Sequence, residues 1–143
     1  MFMGEYNHTI DEKNRLIIPS KFRNQLGEQF VITRWLEKSL HGFPLAEWEK
    51  LVDKLSDLPV GASDARAFER LVMSGAAEVE FDKQGRILIP NNLVDYAQVE
   101  KETIVIGTGS GFEIWSQTNW NQYNDAASAK FEEIAEGLTD FDL

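Results

Sequence analysis

Short stretches in which apolar and polar residues alternate predict strands in both halves of the chain. From Glu5 to Ile10, a tyrosine, a histidine and an isoleucine alternate with glutamate, asparagine and threonine, as in a strand with one buried face. Further strands are predicted over residues 15–18, 30–34, 40–45, 77–81, 86–89, 103–107 and 112–115. The pattern therefore indicates a β-rich chain.

Helices are predicted over residues 20–26, 45–55, 64–74 and 92–96. Apolar residues on one helical face indicate the two longer ones, and the fourth repeats the first in the second half of the chain. Pro19 favours initiation of the first of them, and Gly27 is expected at its C-terminal cap. The two longer helices lie between the halves of the chain and are separated by the residues LPVG at positions 58–61.

The last predicted helix follows Ser116, whose hydroxyl group is expected to cap it. It continues through Trp120 and Tyr123 and on to Ile134. After Gly137 we expect the acidic end of the chain to be mobile.

One motif occurs twice. Residues 11–19 read DEKNRLIIP and residues 82–90 read DKQGRILIP, so an aspartate, an arginine and a proline each recur 71 positions later. Solenoid repeats are commonly about 20 to 50 residues long, and this longer interval indicates a duplicated supersecondary unit. We predict tandem units over residues 5–47 and 76–119, connecting helices over 48–75, and a C-terminal helix with an acidic tail over 120–143.

Each copy of the motif predicts a tight turn before a strand. Asn14 and Gly85 occupy the same place in the two copies, and both residue types tolerate a positive φ. Asp11 and Asp82 are expected to accept hydrogen bonds from backbone amides in their turns. We therefore assign structural roles in the turns to Asp11, Asp82 and Gly85.

The formal net charge of −10 opposes binding to nucleic acid, because phosphates attract cations. The charge is nevertheless unevenly distributed. Lys13, Arg15, Lys21 and Arg23 cluster in and after the first motif, whereas only acidic residues carry charge after Lys130. A basic edge on an acidic body can still bind an anion if the acidic parts face away from it.

Cysteine is absent, which excludes disulfides and thiolate metal sites and suits a reducing cytosol. The first residues lack a basic segment followed by an apolar stretch, and no run of about 18 apolar residues occurs. We expect a soluble, cytoplasmic protein. Two halves of about 70 residues would each be marginally stable alone, so we expect them to share a core or to lean on other subunits.

The motifs resemble those of the bacterial MraZ regulator family. The resemblance rests on MFMG at positions 1–4, HTIDEKNR at 8–15, PSKFR at 19–23 and DKQGRILIP at 82–90, and it continues through EW at 47–48, Arg70 and EIW at 113–115. It covers nearly the whole chain. Asn14 stands where the family usually has glycine, and asparagine retains the turn.

This resemblance implies an α+β, β-rich fold. Two tandem AbrB-like swapped-hairpin β-α-β units would share a pseudo-symmetric double-split β-barrel with flanking helices. The resemblance also implies a ring-shaped homo-oligomer on the nucleoid. Its partner would be double-stranded promoter DNA, bound at direct repeats upstream of the division and cell-wall gene cluster.

Long cationic side chains beside a turn apex can reach phosphates or the edges of guanine. Together with the resemblance, this predicts a DNA-binding set of Lys13, Asn14, Arg15, Lys21 and Arg23. Lys83 and Arg86 are predicted as secondary contacts, because acidic residues surround the second motif. The alternative interpretation is a solvated hairpin in which Arg15 pairs with Asp11 across the turn.

Enzymatic and metal chemistry is not expected. Asp11 and Asp82 could share acid and base roles if held about 5 to 10 Å apart, but their predicted turn roles explain both. No activated nucleophile has a recognisable spacing. His8 and His41 are too few for a zinc site, and GTGSG at 107–111 lacks the lysine of a phosphate-binding loop. No catalytic residue, metal or cofactor is predicted; the main rival function is an acidic module that binds another cytosolic protein.

Overall fold

The computed structural model of the protein, described over residues 1–140, alternates strands with helices along the chain. The strands are β1 (Glu5–Thr9), β2 (Arg15–Ile17), β3 (Gln29–Arg34), β4 (Leu40–Pro44), β5 (Ala77–Glu80), β6 (Arg86–Leu88), β7 (Glu102–Gly107) and β8 (Phe112–Ser116). The helices are α1 (Ser20–Leu26), α2 (Leu45–Ser56), α3 (Ser63–Gly75), α4 (Asn91–Ala97), α5 (Gln117–Ser128) and α6 (Phe131–Glu136). This mixed α+β architecture with its antiparallel sheets confirms the predicted fold class.

The strands form two antiparallel sheets. Six of them lie in the order β1-β7-β8-β4-β3-β5, and β2 pairs with β6 in a two-stranded ribbon. Each sheet is symmetric about its centre, where a strand of the first half meets its counterpart from the second. The two halves are therefore related by an approximate two-fold axis, which passes between β4 and β8 and between β2 and β6.

The halves exchange strands across this axis. Backbone hydrogen bonds close the first turn, from the Asp11 amide to the Arg15 carbonyl and from the Asn14 amide to the Asp11 carbonyl, at 3.0 Å each. The strands on either side of that turn nevertheless do not form a ladder with each other. Instead, β1 pairs with β7 and β2 with β6, while β5 of the second half pairs with β3 of the first. Neither half has a complete sheet without the other.

The core lies between the inner face of the six-stranded sheet and a layer formed by the ribbon, α1 and α4. Phe22, Phe30 and Phe112 are among its fully buried side chains, and the Phe112 ring centroid lies 5.8 Å from that of Phe22 and 5.6 Å from that of Phe30. Gly42 faces Phe112 across β4 and β8, and a Cβ atom at Gly42 would lie only 2.3 Å from the Phe112 ring. Position 42 therefore requires glycine for space.

Helices α2, α3 and α5 cover the outer face of the same sheet. Near α2 and α3, His41 stacks on Phe43 with ring centroids 4.1 Å apart, and Trp35 meets both rings at their edges. Near α5, Trp115 packs against Trp120 with a centroid distance of 5.3 Å. Aromatic residues thus fill a second, smaller layer on the side away from the ribbon.

Most predicted elements agree with the structure to within one residue at either end, but the last helix does not. The prediction of one helix through to Ile134 is wrong, because the chain leaves helical geometry at Lys130, where φ is −116° and ψ is 19°. Between Tyr123 and Phe131 the sequence has no large apolar residue that could anchor a longer α5 to the sheet. The expected mobility after Gly137 falls partly on residues 141–143, which lie outside the described residues.

The buried His41 predicts a loss of stability in acid. Burial lowers the pKa of His41 from 6.5 to about 4. Between these pH values the unfolded chain binds a proton that the folded chain does not, so acidification favours unfolding. The contribution is complete above pH 6.5 and declines towards pH 4, by on the order of 3 kcal/mol.

Urea unfolding at pH 7 and pH 4.5 checks this expectation against a His41→Phe variant. The variant should lose less stability on acidification than the unmodified protein. This control is needed because burial lowers the pKa of His8 and raises that of Glu113, and Glu113 acts in the opposite direction. An equal loss in both proteins would contradict the assignment to His41.

Candidate nucleic-acid interface

The outward face of the β2–β6 ribbon carries two arginines and two aliphatic side chains. Strand residues alternate between faces, so Leu16 and Ile87, which are register partners, both point into the core. The solvent-facing side chains are Arg15, Ile17, Arg86 and Leu88, with Arg15 opposite Leu88 and Ile17 opposite Arg86. We call these four residues the ribbon face.

An aspartate organises the turn at each end of the ribbon. In the first turn, Asp11 Oδ1 accepts hydrogen bonds from the amides of Lys13 at 2.9 Å and Arg15 at 2.8 Å. In the second, Asp82 Oδ1 accepts them from the amides of Gln84 at 2.8 Å and Arg86 at 2.9 Å. This geometry supports the turn roles predicted for both aspartates.

The same hydrogen bonds stabilise the ionised aspartates. The Arg15 amide has the largest effect on the pKa of Asp11, which lies below its ordinary value despite partial desolvation; the Arg15 side chain and the Lys13 amide act in the same direction. The Arg86 amide likewise lowers the pKa of Asp82. Both turns therefore contain a carboxylate that stays charged in mildly acidic solution.

Each arginine of the ribbon face also pairs with its turn aspartate, as in the solvated-hairpin interpretation. Arg15 Nε lies 2.7 Å from Asp11 Oδ2, and Arg86 Nε lies 2.8 Å from Asp82 Oδ2. The two arginines differ in a second contact, because Arg86 NH1 also lies 3.8 Å from Asp11 Oδ2. Arg15 is accordingly the more exposed, with 35% of its side chain accessible against 24% for Arg86.

Each turn is also supported by the other half of the chain. Asn14 and Gly85 have φ values of 62° and 76°, in the left-handed region predicted for them. The Asn14 carbonyl accepts from the Ile89 amide at 2.9 Å, and the Gly85 carbonyl accepts from the Ile18 amide at 3.2 Å. The side chain of Asn14 additionally donates to Asn91 Oδ1 on α4 at 3.3 Å.

The remaining predicted contact residues fall into two groups. Three lysines are exposed: Lys13 and Lys83 in the two hairpin turns, and Lys21 near the start of α1. Arg23 is half-buried, and its NH1 atom donates to the Ile18 carbonyl at 2.7 Å. The Arg23 guanidinium also lies against Gly85, where a Cβ atom would come within 2.5 Å of NH1. The sequence signal for this second contact is that position 85 has glycine, whereas position 14 has asparagine.

The surroundings of the two turns differ in charge. The second unit has neutral residues where α1 has cations, and it has acidic residues on the strand that precedes its turn. Lys21 and Arg23 correspond to Asn92 and Val94, while Asn7 and Thr9 correspond to Glu78 and Glu80. Because the halves exchange strands, however, Arg23 of α1 lies against Gly85 of the second turn, and Asn91 of α4 contacts Asn14 of the first. The difference in charge that remains in favour of the first turn is that positions 7 and 9 on the strand before it are neutral.

Two further findings concern other kinds of site. Among residues 1–140, no three histidine or carboxylate side chains are grouped so as to hold a metal ion. In the same part of the chain, none of the helices combines the length and the hydropathy that crossing a bilayer requires.

Comparison with known proteins identifies the family. The family described as "MraZ protein, putative antitoxin-like" matches residues 1–71 and again residues 72–142. The chain belongs to the MraZ family. It is 62% identical to the transcriptional regulator MraZ of Leuconostoc mesenteroides subsp. mesenteroides over the full length of both chains. It is 59% identical to that of Oenococcus oeni, again over both full lengths, and 52% identical to that of Carboxydothermus hydrogenoformans over 99% of each chain.

MraZ relatives with this degree of identity carry the name of transcriptional regulators. The chain is accordingly a transcriptional regulator, a class of protein that is not a class of enzyme. The two family matches begin 71 residues apart, at residues 1 and 72, which is the interval of the repeated motif. This agreement supports the interpretation of the repeat as a duplication.

We expect Asp11→Ala to lower the melting temperature by a few degrees, because two turn amides and the Arg15 guanidinium would be deprived of their acceptor. Asp11→Asn should be less destabilising, since the amide oxygen can still accept from both backbone groups. Thermal melts monitored by circular dichroism would measure the difference. Equal decreases for the two variants would show that the backbone contacts do not stabilise the turn.

Proposed function

We propose that the chain binds double-stranded DNA sequence-specifically through the ribbon face, with the first turn as the principal reader. The observation that carries this proposal is the position of Arg15. It lies at an exposed turn, and within residues 1–140 its side chain donates a hydrogen bond from Nε alone, so its terminal nitrogens have donors to offer to DNA. Lys13 and Asn14 belong to the same turn, and Lys21 adds an exposed cation on α1, whereas Arg23 lies against the second turn.

The shape of the ribbon suits the major groove. A two-stranded antiparallel ribbon fits within its width of about 12 Å. Arginine can donate two hydrogen bonds to O6 and N7 of guanine, and the aliphatic side chains of Ile17 and Leu88 can contact thymine methyl groups. The ribbon face thus offers both polar and apolar readout.

The pairing of Arg15 with Asp11 is compatible with this role. Exposed ion pairs contribute little to stability, so exchanging one for a contact with a base costs little. Until DNA binds, Asp11 holds the guanidinium close to the turn, which limits the side-chain entropy lost on binding. The solvated hairpin is then the unbound state of a DNA reader.

The second turn is proposed as a secondary contact. Arg86 lies near two carboxylates, and Glu78 and Glu80 are exposed on the adjacent strand. A phosphate approaching Lys83 or Arg86 would meet this negative charge. We therefore expect this turn to add affinity without determining the sequence that is bound.

A chain with a formal charge of −10 needs several copies to bind DNA tightly. We propose a closed homo-oligomeric ring whose ribbon faces project from one rim and engage direct repeats in promoter DNA. Linked weak contacts raise the effective concentration of each site at the next repeat. The division and cell-wall gene cluster, whose upstream repeats the family resemblance implies, is the proposed target, and the nucleoid the proposed location.

The rival function is that of an acidic module acting on another protein. A salt titration distinguishes the two. Binding driven by phosphate contacts weakens steeply as salt rises, whereas apolar docking barely responds. Steep salt dependence with promoter DNA would support the proposed function.

We expect Arg15→Ala to abolish most specific DNA binding while leaving the fold intact, since a base contact contributes about 1 to 3 kcal/mol per subunit. Arg86→Ala is the matched control at the equivalent position and should reduce affinity less. Gel-shift titrations paired with thermal melts would measure both effects. Equal reductions of affinity would reject the first turn as the principal reader.

We also expect direct repeats spaced by one helical turn, roughly 10 bp, to bind far more tightly than a single repeat. Inserting about 5 bp between repeats rotates one to the opposite face of the duplex and should remove the gain.

Light scattering on the same protein should show an assembly larger than a dimer. A monomer at micromolar concentration, or unchanged affinity after the insertion, would overturn the ring mechanism.

A further inference from the structure

The side chain of Arg23 crosses the pseudo-two-fold axis to the second turn. Arg23 belongs to α1 of the first unit, yet its guanidinium lies against the backbone of Gly85. A Cβ atom at position 85 would lie 2.5 Å from Arg23 NH1, 2.7 Å from Cζ and 3.0 Å from Nε. The absence of a side chain at Gly85 is what makes room for the guanidinium.

A chain of hydrogen bonds links Arg23, Ile18 and Gly85. Arg23 NH1 donates to the Ile18 carbonyl at 2.7 Å, and the Ile18 amide donates to the Gly85 carbonyl at 3.2 Å. Both backbone groups of Ile18 are thereby satisfied, where the chain leaves β2. The positive charge of Arg23 also acts inward, since after burial it is the second cause of the lowered pKa of His8.

The matched place in the other half is built differently. Val94 on α4 corresponds to Arg23, and its side chain has no donor to offer to the Ile89 carbonyl. Asn14 corresponds to Gly85, and its side chain donates to Asn91 at 3.3 Å in an exposed contact. One turn is thus fixed by a half-buried cation and the other by a longer contact between exposed amides.

We propose that Arg23 is a positioning residue that fixes the second turn and the exit of β2, and that it does not itself contact DNA. This inference rests on the proposed function, because it divides the cations around the ribbon into those that touch DNA and one that sets the ribbon's geometry. Arg23 NH1 donates to the Ile18 carbonyl, and the guanidinium lies beneath the turn of the opposite unit. At the first turn, which is proposed to read DNA, the equivalent position beneath the turn holds the uncharged Val94.

A double-mutant cycle tests the contact without DNA. In the unmodified protein, Gly85→Ala introduces strain at a φ of 76° and also displaces the Arg23 guanidinium. In an Arg23→Val background, which copies the residue at position 94, only the strain remains. Gly85→Ala should therefore lower the melting temperature by about 3 °C less in that background. Equal decreases in the two backgrounds would overturn the proposed contact.

The salt dependence of DNA binding tests the division of roles. Removing one phosphate contact reduces the slope of log affinity against log salt by about 0.9. Lys21→Gln should reduce the slope, whereas Arg23→Val should weaken binding about equally at all salt concentrations and leave the slope unchanged. A reduced slope for Arg23→Val would show that Arg23 contacts phosphate. If the unmodified protein does not bind DNA, the proposed function fails, while the double-mutant cycle still decides the contact.

Discussion

The exchange of strands across the pseudo-two-fold axis is the constraint on which the rest of the structure depends. β2 has only three residues, and its ladder partner β6 comes from the other half of the chain. A two-stranded ribbon of this length is not stable in isolation. It persists because Leu16 and Ile87 anchor its inner face in the shared core. That anchoring forces the alternate residues, including both arginines, outwards into solvent.

Much of the fold, namely the bounds of its helices and the position of its turns, could be predicted from residues that act on their neighbours in the sequence. Pro19 before α1, Gly27 after it and the aspartates of the two turns all influence the chain within a few residues of themselves. Strand partners are harder to predict, because alternation shows which face of a strand is buried but not which strand lies beside it. The turn between β3 and β4 also has no sequence signal; Glu37 and Lys38 adopt positive φ values of 56° and 59°, although neither residue type indicates such a conformation.

The candidate site shows the same division. The repeated motif locates Arg15 and Asp11, and the structure adds that they pair at 2.7 Å while Arg86 approaches both aspartates. Sequence reasoning groups Arg23 with the exposed cations because it stands two residues from Lys21. In a helix, residues two positions apart point about 200° apart, so the two side chains face different surroundings. The helical period separates an exposed lysine from a cation that lies under the opposite turn.

The packing of Gly42 against Phe112 bears on how such a chain could arise. By symmetry, the pair formed by Gly42 and Phe112 corresponds to the neighbouring register pair of Ile114 and Leu40. One copy of this contact combines the smallest residue with a large ring, and the other combines two aliphatic side chains of similar size. Two identical polypeptides could not build both versions in one symmetric dimer. Covalent fusion of the halves releases each from resembling the other, and this freedom allows the two turns to be supported differently, the second by Arg23 and the first by Asn91.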